Sequence, residues 1–517
     1  MFLFLSLASS QGLGSSSVQG AFGAVTIDGK IWNQVALRPI IPIGKVSVAL
    51  DIVFYIDQNG NIHDDEWDFS DGKKSKNSII DKIYYIRYGK KWDPFYFQVG
   101  ALDNVTLGKG ILVNRYTNTI LYPQVRKVGM DIKFKVSGFN FYGFTNDFKE
   151  NLGLTGFRVS KNIINGINIG GTLVADRNQY LGLRDSDNDG RPDLVDDFPD
   201  DPLYWLDTDG DGIADVDPNE LDIDGDGVTD TLDSNIPGWD LDSVYVLDTD
   251  IMRKPEPLNV QNRKRSIYAV SLDASKTILA ESNMSVSIYA QFASLIGKTV
   301  DPISAEEVSL GNGFIPFGLS TKLGPARFRF EYRMMPSGKF EFGYWDRSYE
   351  IERATFSSSF MNDNSGLRTG EIITKDIRLG KFGKQKGYFS TLSIDLGEMV
   401  GASMSYQNLF GEQWDENERG FNNDRNQSFI AGIRLKKPIS KITNARWYYQ
   451  QRNVPNPFDF EFTESTISGY RVGIKLGNGM ILNYIFRQSF RDIDGDGKVN
   501  GKDETINMTS IETSFSF

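Results

Sequence analysis

Residues 326–334 read ARFRFEYRM. Ala326, Phe328, Phe330, Tyr332 and Met334 are apolar, and Arg327, Arg329, Glu331 and Arg333 between them are charged. Successive side chains of a β-strand point to opposite faces, so this run is a strand with one greasy and one charged face. The same division recurs at 128–136, where Val128, Met130, Ile132, Phe134 and Val136 oppose Asp131, Lys133 and Lys135. It recurs again where Tyr470, Val472, Ile474 and Leu476 oppose Arg471 and Lys475, and where Leu482, Tyr484 and Phe486 oppose Asn483 and Arg487.

Alternation of this kind fits a soluble sandwich as well as a barrel with one face in lipid and the other in a polar lumen. Three features favour the barrel. Tight turns at Pro42–Lys45, Ser137–Phe139, Leu323–Pro325, Gly397–Met399 and Gly477–Gly479 alternate with long connections at 57–78, 178–263, 411–424, 453–464 and 491–504. Aromatics gather near strand ends, as at Trp92, Phe95, Tyr96 and Phe97 or Trp447, Tyr448 and Tyr449, where interfacial girdles need them. Finally, the last strand carries Ile511, Thr513, Phe515 and Phe517 on one face. That ending resembles the C-terminal strand by which bacterial outer-membrane barrels are recognised for insertion.

The resemblance implies a porin-like barrel of a Gram-negative-type outer membrane, with outer-membrane lipid and the barrel-assembly machinery as partners. The expected fold is therefore all-β: a transmembrane, antiparallel, up-and-down barrel of about 18 strands, within a range of about 14 to 20. No stretch reaches the roughly 20 apolar residues of a membrane helix, so any crossing must be made by a closed barrel. Residues 1–12, a short apolar run (Phe2, Leu3, Phe4, Leu5, Leu7) followed by the small residues Ala8, Ser9 and Ser10, read as a signal-peptide remnant. The barrel is expected in two parts, 13–181 and 263–517, separated by an insert at 182–262.

Charge sets that insert apart. Residues 185–233 contain 18 Asp, Glu220 and one base, Arg191, a charge of −18. Since the whole chain carries −12, the remainder is left at +6. The insert reads DSDNDGRPDLVD from Asp185, DTDGDGIADVD from Asp207 and DIDGDGVTDTLD from Asp222, with Asp at positions 1, 3, 5 and 9 and Gly at position 6. Hard oxygen ligands at alternate positions can wrap one Ca²⁺, and the Gly permits the sharp turn between them.

These copies resemble thrombospondin type 3 repeats. The resemblance implies Ca²⁺ ligands at Asp185, Asp187, Asp189, Asp193 and Asp196, at Asp207, Asp209, Asp211 and Asp215, and at Asp222, Asp224, Asp226, Asp230 and Asp233. In the second copy Pro218 stands where the twelfth-position acid belongs, with Asp217 or Glu220 as substitutes. Near the end, DIDGDGKVNGKD at 492–503 resembles an EF-hand or dockerin loop, implying side-chain ligands Asp492, Asp494, Asp496 and Asp503 and the Lys498 carbonyl. Hairpin counting puts all four loops outside the cell.

The charged strand faces place Lys133, Lys135, Arg327, Arg329, Arg333, Arg446, Arg452, Arg471, Lys475 and Arg487 in the lumen. Rings of bases favour anions through a pore, which predicts a channel for small anionic solutes. The competing reading pairs these bases with lumen acids such as Asp131, Glu331 and Glu512. Residues 105–118 either fold inward to narrow the pore or form an outer loop. A second functional class makes the barrel an anchor whose insert contacts surface glycans, matrix or other cells.

Catalysis is not expected. Outer-membrane phospholipases and omptin-type proteases need a His near a Ser or Asp, and the one His, His63, lies in the polar stretch GNIHDDEW as a solvated loop residue. The absence of Cys excludes disulfides, thiolate metal sites, a Cys nucleophile and an N-terminal lipid anchor. No phosphate-cradling loop, dinucleotide fingerprint or nucleic-acid patch is present.

Overall fold

A computed structural model describes residues 17–27, 30–63, 67–70, 72–122, 125–225, 227, 229–230, 253–360, 368–415, 418–477, 479–490, 499 and 504–516. The signal-peptide reading of residues 1–12, the terminal Phe517, and Asp226, Asp233, Asp492, Asp494, Asp496, Lys498 and Asp503 lie outside the described residues.

The strands in chain order are β1 (Ser17–Ile27), β2 (Lys30–Ile43), β3 (Val46–Leu50), β4 (Ile52–Ile56), β5 (Ile83–Tyr88), β6 (Phe95–Gly100), β7 (Gly129–Val136), β8 (Phe139–Thr145), β9 (Leu154–Asn162), β10 (Ile167–Asp176), β11 (Ile267–Ala280) and β12 (Met284–Ile296). They continue with β13 (Lys298–Val300), β14 (Glu307–Ser309), β15 (Asn312–Leu323), β16 (Ala326–Met335), β17 (Ala354–Phe360), β18 (Arg368–Thr374), β19 (Phe382–Leu396), β20 (Val400–Asp415), β21 (Gly420–Leu435), β22 (Ile442–Val454), β23 (Ile467–Gly477), β24 (Met480–Phe490) and β25 (Thr505–Ser516).

One sheet holds 21 of these strands, each paired antiparallel to its neighbours. It closes on itself where β1 meets β25, in the register Gln19↔Ser516 to Val25↔Ser510. β4 prolongs β3 beyond Asp51 and pairs with β2 alone, so the ring itself has one strand fewer than the sheet, twenty. That is close to the expected number of about 18 and at the top of the expected range. β13 with β14 and β17 with β18 form separate hairpins inside two of the connections.

Inside and outside follow the predicted alternation. On β9 to β11, Phe157, Leu173 and Leu272 stand exposed on the outer wall, Leu272 at 63 %. One residue along, Arg158, Thr172 and Asp273 are buried in the lumen, with Arg158 donating 2.9 Å to Asp273 and 3.2 Å to Thr172. A closed barrel has no unpaired edge, and apolar side chains facing outward suit lipid, so this is a membrane-spanning barrel of the outer-membrane type.

All five predicted tight turns join strands at one end of the barrel, called here the turn end. The link between β7 and β8 is a two-residue hairpin, Ser137 (φ 51°) and Gly138 (φ 79°), whose left-handed backbone matches the strand twist. The opposite, loop end carries the long connections, with one correction. Of residues 411–424, expected as a loop, 411–415 and 420–424 are strand: β20 and β21 stay paired from Gly411↔Asp424 to Asp415↔Gly420. Backbone pairing needs no apolar face, so a hairpin can run past the membrane on a polar sequence.

Two long connections turn inward. Residues 101–128 and 336–353 enter the barrel from the loop end and bond to each other: Gly343 N donates to Ile111 O at 2.8 Å, Trp345 N to Leu112 O at 3.1 Å and Asn114 N to Trp345 O at 3.0 Å. Val105, Tyr116, Phe340, Tyr344, Trp345 and Tyr349 are wholly buried there, in the largest apolar cluster of the molecule. The core of this protein thus lies inside the ring, and of the two courses open to 105–118 the chain takes the inward one.

Candidate functional site

A cavity of about 830 Å³ lies in the lumen, bounded by the inward segments and by strands β1, β2, β16 and β19 to β25. Nine bases line it, namely Arg38, Arg115, Arg327, Arg347, Arg434, Lys436, Arg446, Arg471 and Arg487, against three acids, Asp103, Asp395 and Glu512. Of the ten lumen bases expected from alternation, Arg327, Arg446, Arg471 and Arg487 reach this cavity.

The others are placed differently. Arg329 and Arg333 both clasp Glu331, Arg333 at 2.6 and 2.8 Å, and Arg333 also stacks 3.8 Å over Phe389. Arg452 binds Asp346 at 2.5 Å and Glu341 at 2.7 Å, anchoring the second inward segment to β22. Lys133 lies 4.1 Å over the ring of Tyr142, and Lys135 and Lys475 are exposed towards the turn end. Both anticipated arrangements therefore occur: some bases face the cavity and others pair with Glu331 or with acids on the inward loops.

Of the three acids named from sequence, Glu331 is held as above. Glu512 is held by Arg38 at 2.6 Å, and Asp131 lies 3.4 Å from Lys91. Arg38, Arg115, Arg347, Arg434 and Lys436 were not identified from sequence. Arg38 had a readable signal, since Gln34 and Arg38 alternate with the outward Val35 and Leu37. Arg115 and Arg347 had none, because they lie on irregular lumen segments.

The inward segments are locked by buried charge. Arg353 binds Asp176 at 2.7 and 2.8 Å and Glu150 at 2.8 Å, and Lys127 binds Glu350 at 2.7 Å and also Glu150. Burial works against the Glu150 carboxylate, yet Arg353 and Lys127 hold its pKa below the ordinary range. Asp147 differs: burial pushes its carboxyl up to about 6 in spite of Lys149 and Lys127.

His63 is half-buried, its ring edge-on to Trp32 with centroids 4.8 Å apart. It is thus a packed residue, in contrast to the solvated position expected from its polar surroundings.

In the acidic insert each repeat closes in the same way. Gly190, Gly212 and Gly227, at position 6, adopt φ of 96°, 91° and 87°, a left-handed conformation that glycine enters without steric cost. Their N–H groups donate to the first Asp of each copy: Asp185 at 3.1 Å, Asp207 at 2.9 Å and Asp222 at 2.9 Å. The ninth-position acids Asp193, Asp215 and Asp230 accept from the backbone N–H of the second residue at 2.7–2.9 Å. For Asp193 and Asp215 the second oxygen is also used, by the hydroxyls of Ser186 and Thr208.

Carboxylate oxygens of Asp185, Asp187 and Asp189 lie within 4.8 Å of one another, as do those of Asp207, Asp209 and Asp211. In the first loop Asp185 Oδ1, Asp187 Oδ2 and Asp196 Oδ2 are buried and receive no hydrogen bond from the protein. Burial and the surrounding carboxylates push the Asp196 carboxyl up to about 6. Buried, convergent anionic oxygens without donors fit a hard divalent cation. Glu220, a proposed substitute in the second copy, is buried but accepts from the N–H of Asp222 at 2.8 Å. Arg191 braces the insert, lying 3.7 Å over the ring of Trp205.

No protein-family model matches the chain, and no curated protein matches it. Solved structures with a similar course include Pseudomonas aeruginosa OccK10 (OpdN), with 7 % identity and a TM-score of 0.36 over 98 % of this chain and 99 % of that one. They also include the outer membrane protein opdK of the same organism, with 8 % identity and a TM-score of 0.34 over 97 % and 98 %, and the outer membrane protein OprD, with 7 % and 0.33 over 97 % and 94 %. At such values the likeness assigns no role to any residue, and the case for function rests on this barrel's own lumen and insert.

Proposed function

We propose that the barrel is a porin-like channel for small anionic solutes in the outer membrane of a Gram-negative-type bacterium, with its loop end and acidic insert facing outward. The observation that carries this reading is the lumen cavity, where nine bases meet three acids. In a narrow, low-dielectric passage such an excess raises the local concentration of anions and opposes cations. Ca²⁺ bound by Asp185, Asp187, Asp189 and Asp196, and by Asp207, Asp209 and Asp211, would offset part of the charge of the insert and hold its loops rigid. The third and fourth loops are proposed to act in the same way.

Single-channel recording in planar bilayers under a KCl gradient tests the reading. Stable steps with a reversal potential on the anion side are expected. A sealed bilayer with demonstrably inserted protein would overturn the channel. It would favour the second reading, a barrel-anchored surface module contacting glycans or matrix, to which the lumen-filling segments 101–128 and 336–353 already lend support.

A further inference from the structure

We propose that Arg115, Arg347 and Arg446 form a binding site for a multivalent tetrahedral oxyanion, phosphate or sulfate, either free or carried as an ester on a small solute. The proposal deepens the channel reading and rests on it for its route of access. All three side chains line the same lumen cavity. Arg347 and Arg446 both sit over the ring of Tyr448, their guanidinium carbons 5.4 and 5.9 Å from its centroid.

The inward segments present the other two sides of the group. Arg115 has a left-handed backbone (φ 59°), which a non-glycine residue adopts only when its surroundings enforce it. The enforcing contact is its N–H, which donates to Thr106 Oγ1 at 2.9 Å. Arg347 follows Asp346, which Arg452 anchors, so the constriction itself carries the cation.

What separates Arg115 and Arg347 from their neighbours is their partners. Arg38, Arg126, Arg158, Arg329, Arg333, Arg353 and Arg452 each bind a carboxylate. Among the described residues, no carboxylate lies within ion-pair distance of Arg115 or Arg347. Burial and then the guanidiniums of Arg347, Arg329 and Arg446 lower the pKa of Arg115 from its ordinary value, and burial and Arg446 do the same to Arg347. Asp103 on the cavity wall and the neighbouring Asp346 oppose this repulsion at Arg347, neither within ion-pair distance.

A chain that can neutralise seven lumen arginines leaves Arg115 and Arg347 crowded by other guanidiniums and without an ion-pair carboxylate among the described residues, which is what an external anion requires. A single negative charge would offset one guanidinium. A doubly charged tetrahedral group offers three or four oxygens to several planar forks at once. The volume of about 830 Å³ falls in the range of small-molecule sites, so an ester on an organic solute also fits.

The test uses the purified full chain, with potassium phosphate, potassium sulfate and potassium acetate as probes. In bilayers, phosphate or sulfate is expected to block the KCl current in a saturable manner, with acetate at least tenfold weaker. Arg347→Gln and Arg115→Gln should each weaken the block about tenfold, and Lys437→Gln, an exposed residue paired with Glu398 outside the cavity, should not. Phosphate stronger than sulfate would point to phosphoryl solutes, the reverse to sulfated ones, and either supports the site. Acetate equal to phosphate, or block unchanged in both arginine variants, would overturn it while leaving anion-selective steps intact. If no current passes at all, calorimetric titration of phosphate and sulfate into detergent-solubilised protein decides. Saturable binding lost in Arg347→Gln upholds the site without the channel, and no binding of either anion sinks it.

Discussion

The lumen and the insert solve opposite electrostatic problems. Inside the barrel acids and bases are both present and neutralise one another, as where Glu331 lies between Arg329 and Arg333 or Asp176 against Arg353. Across residues 185–233, 18 Asp and Glu220 are accompanied by one Arg; Arg184 and Lys254 reach Asp193 and Asp197 from either side, and carboxylates such as Asp193 and Asp207 turn to backbone N–H groups and hydroxyls. Hydrogen bonds of that kind use one or two oxygens of each group and leave others, such as Asp196 Oδ2, without a donor. The lumen meets most of its charge from within, whereas the insert, on the calcium reading proposed above, would draw on an ion from outside. Each half of that contrast can be broken separately.

The largest effect is expected where an internal partner is removed. Glu331→Gln leaves two guanidiniums around a neutral group and should cost about 3–5 kcal/mol, the usual cost of breaking a buried ion cluster. Unfolding in detergent, followed by tryptophan fluorescence, measures it, and a change under 1 kcal/mol would mean that water already shares the charge. Next in size is calcium. With extracellular-type dissociation constants of ~10⁻⁴ to 10⁻³ M, raising Ca²⁺ to a hundred times Kd stabilises a loop by about 2.7 kcal/mol. Chelation should therefore open residues 182–262 to protease while barrel circular dichroism is unchanged; a protease pattern indifferent to chelator would remove calcium from the account.

A pH test reaches the inward segments. Asp147 is buried, accepts from the N–H groups of Val128 and Lys149, and faces Lys127, Lys149 and Glu150. Its folded pKa of about 6 stands above the unfolded value, so the folded state binds the extra proton. Its contribution to stability is fully present below about pH 4 and is lost as pH rises towards 6. Asp147→Asn keeps the accepting Oδ1, should raise stability above pH 6 by roughly 2–3 kcal/mol, and should flatten that pH slope. Glu150 has the opposite sign, its contribution fading only as pH falls below the ordinary carboxylate range. A melting series from pH 4 to 8 separates the two, and an unaltered slope in the variant would exclude Asp147 as its source.

The smallest effect is expected at Asp196→Asn, which removes one charge from the first calcium loop. Loss of about tenfold in Ca²⁺ affinity, or 1.4 kcal/mol, is expected by calorimetry. Unchanged affinity would place the ion elsewhere in the insert.

How much of this could be read from sequence depended on where each segment sits. Strands that separate lipid from lumen, such as Ala326–Met335, must alternate, and their faces are written in the residues themselves. Gly411–Asp424 crosses no such boundary, so its pairing left no apolar trace. The inward segments bury Trp345 and Tyr116 against irregular backbone, and no period marks them. Strand arginines such as Arg327, Arg446, Arg471 and Arg487 followed from alternation, but Arg38 and Arg434 were not identified from it, nor was the division into cavity-facing and carboxylate-bound groups. That division depends on acids such as Asp346 and Asp176, which are far away in sequence. The acidic repeats were legible because each closes locally, its closing glycine and its first Asp lying five residues apart.

The seam between β1 and β25 has a kinetic consequence. Gln19 meets Ser516 across almost the whole chain, the longest sequence separation of any strand pair in the ring. Contacts of that order form late, because the intervening chain must already be arranged. Until they do, both strands are unpaired edges able to add a foreign strand. For the same reason, a barrel that has once closed opens along this line only by giving up a full strand ladder at once, which makes the finished ring long-lived whatever its equilibrium stability.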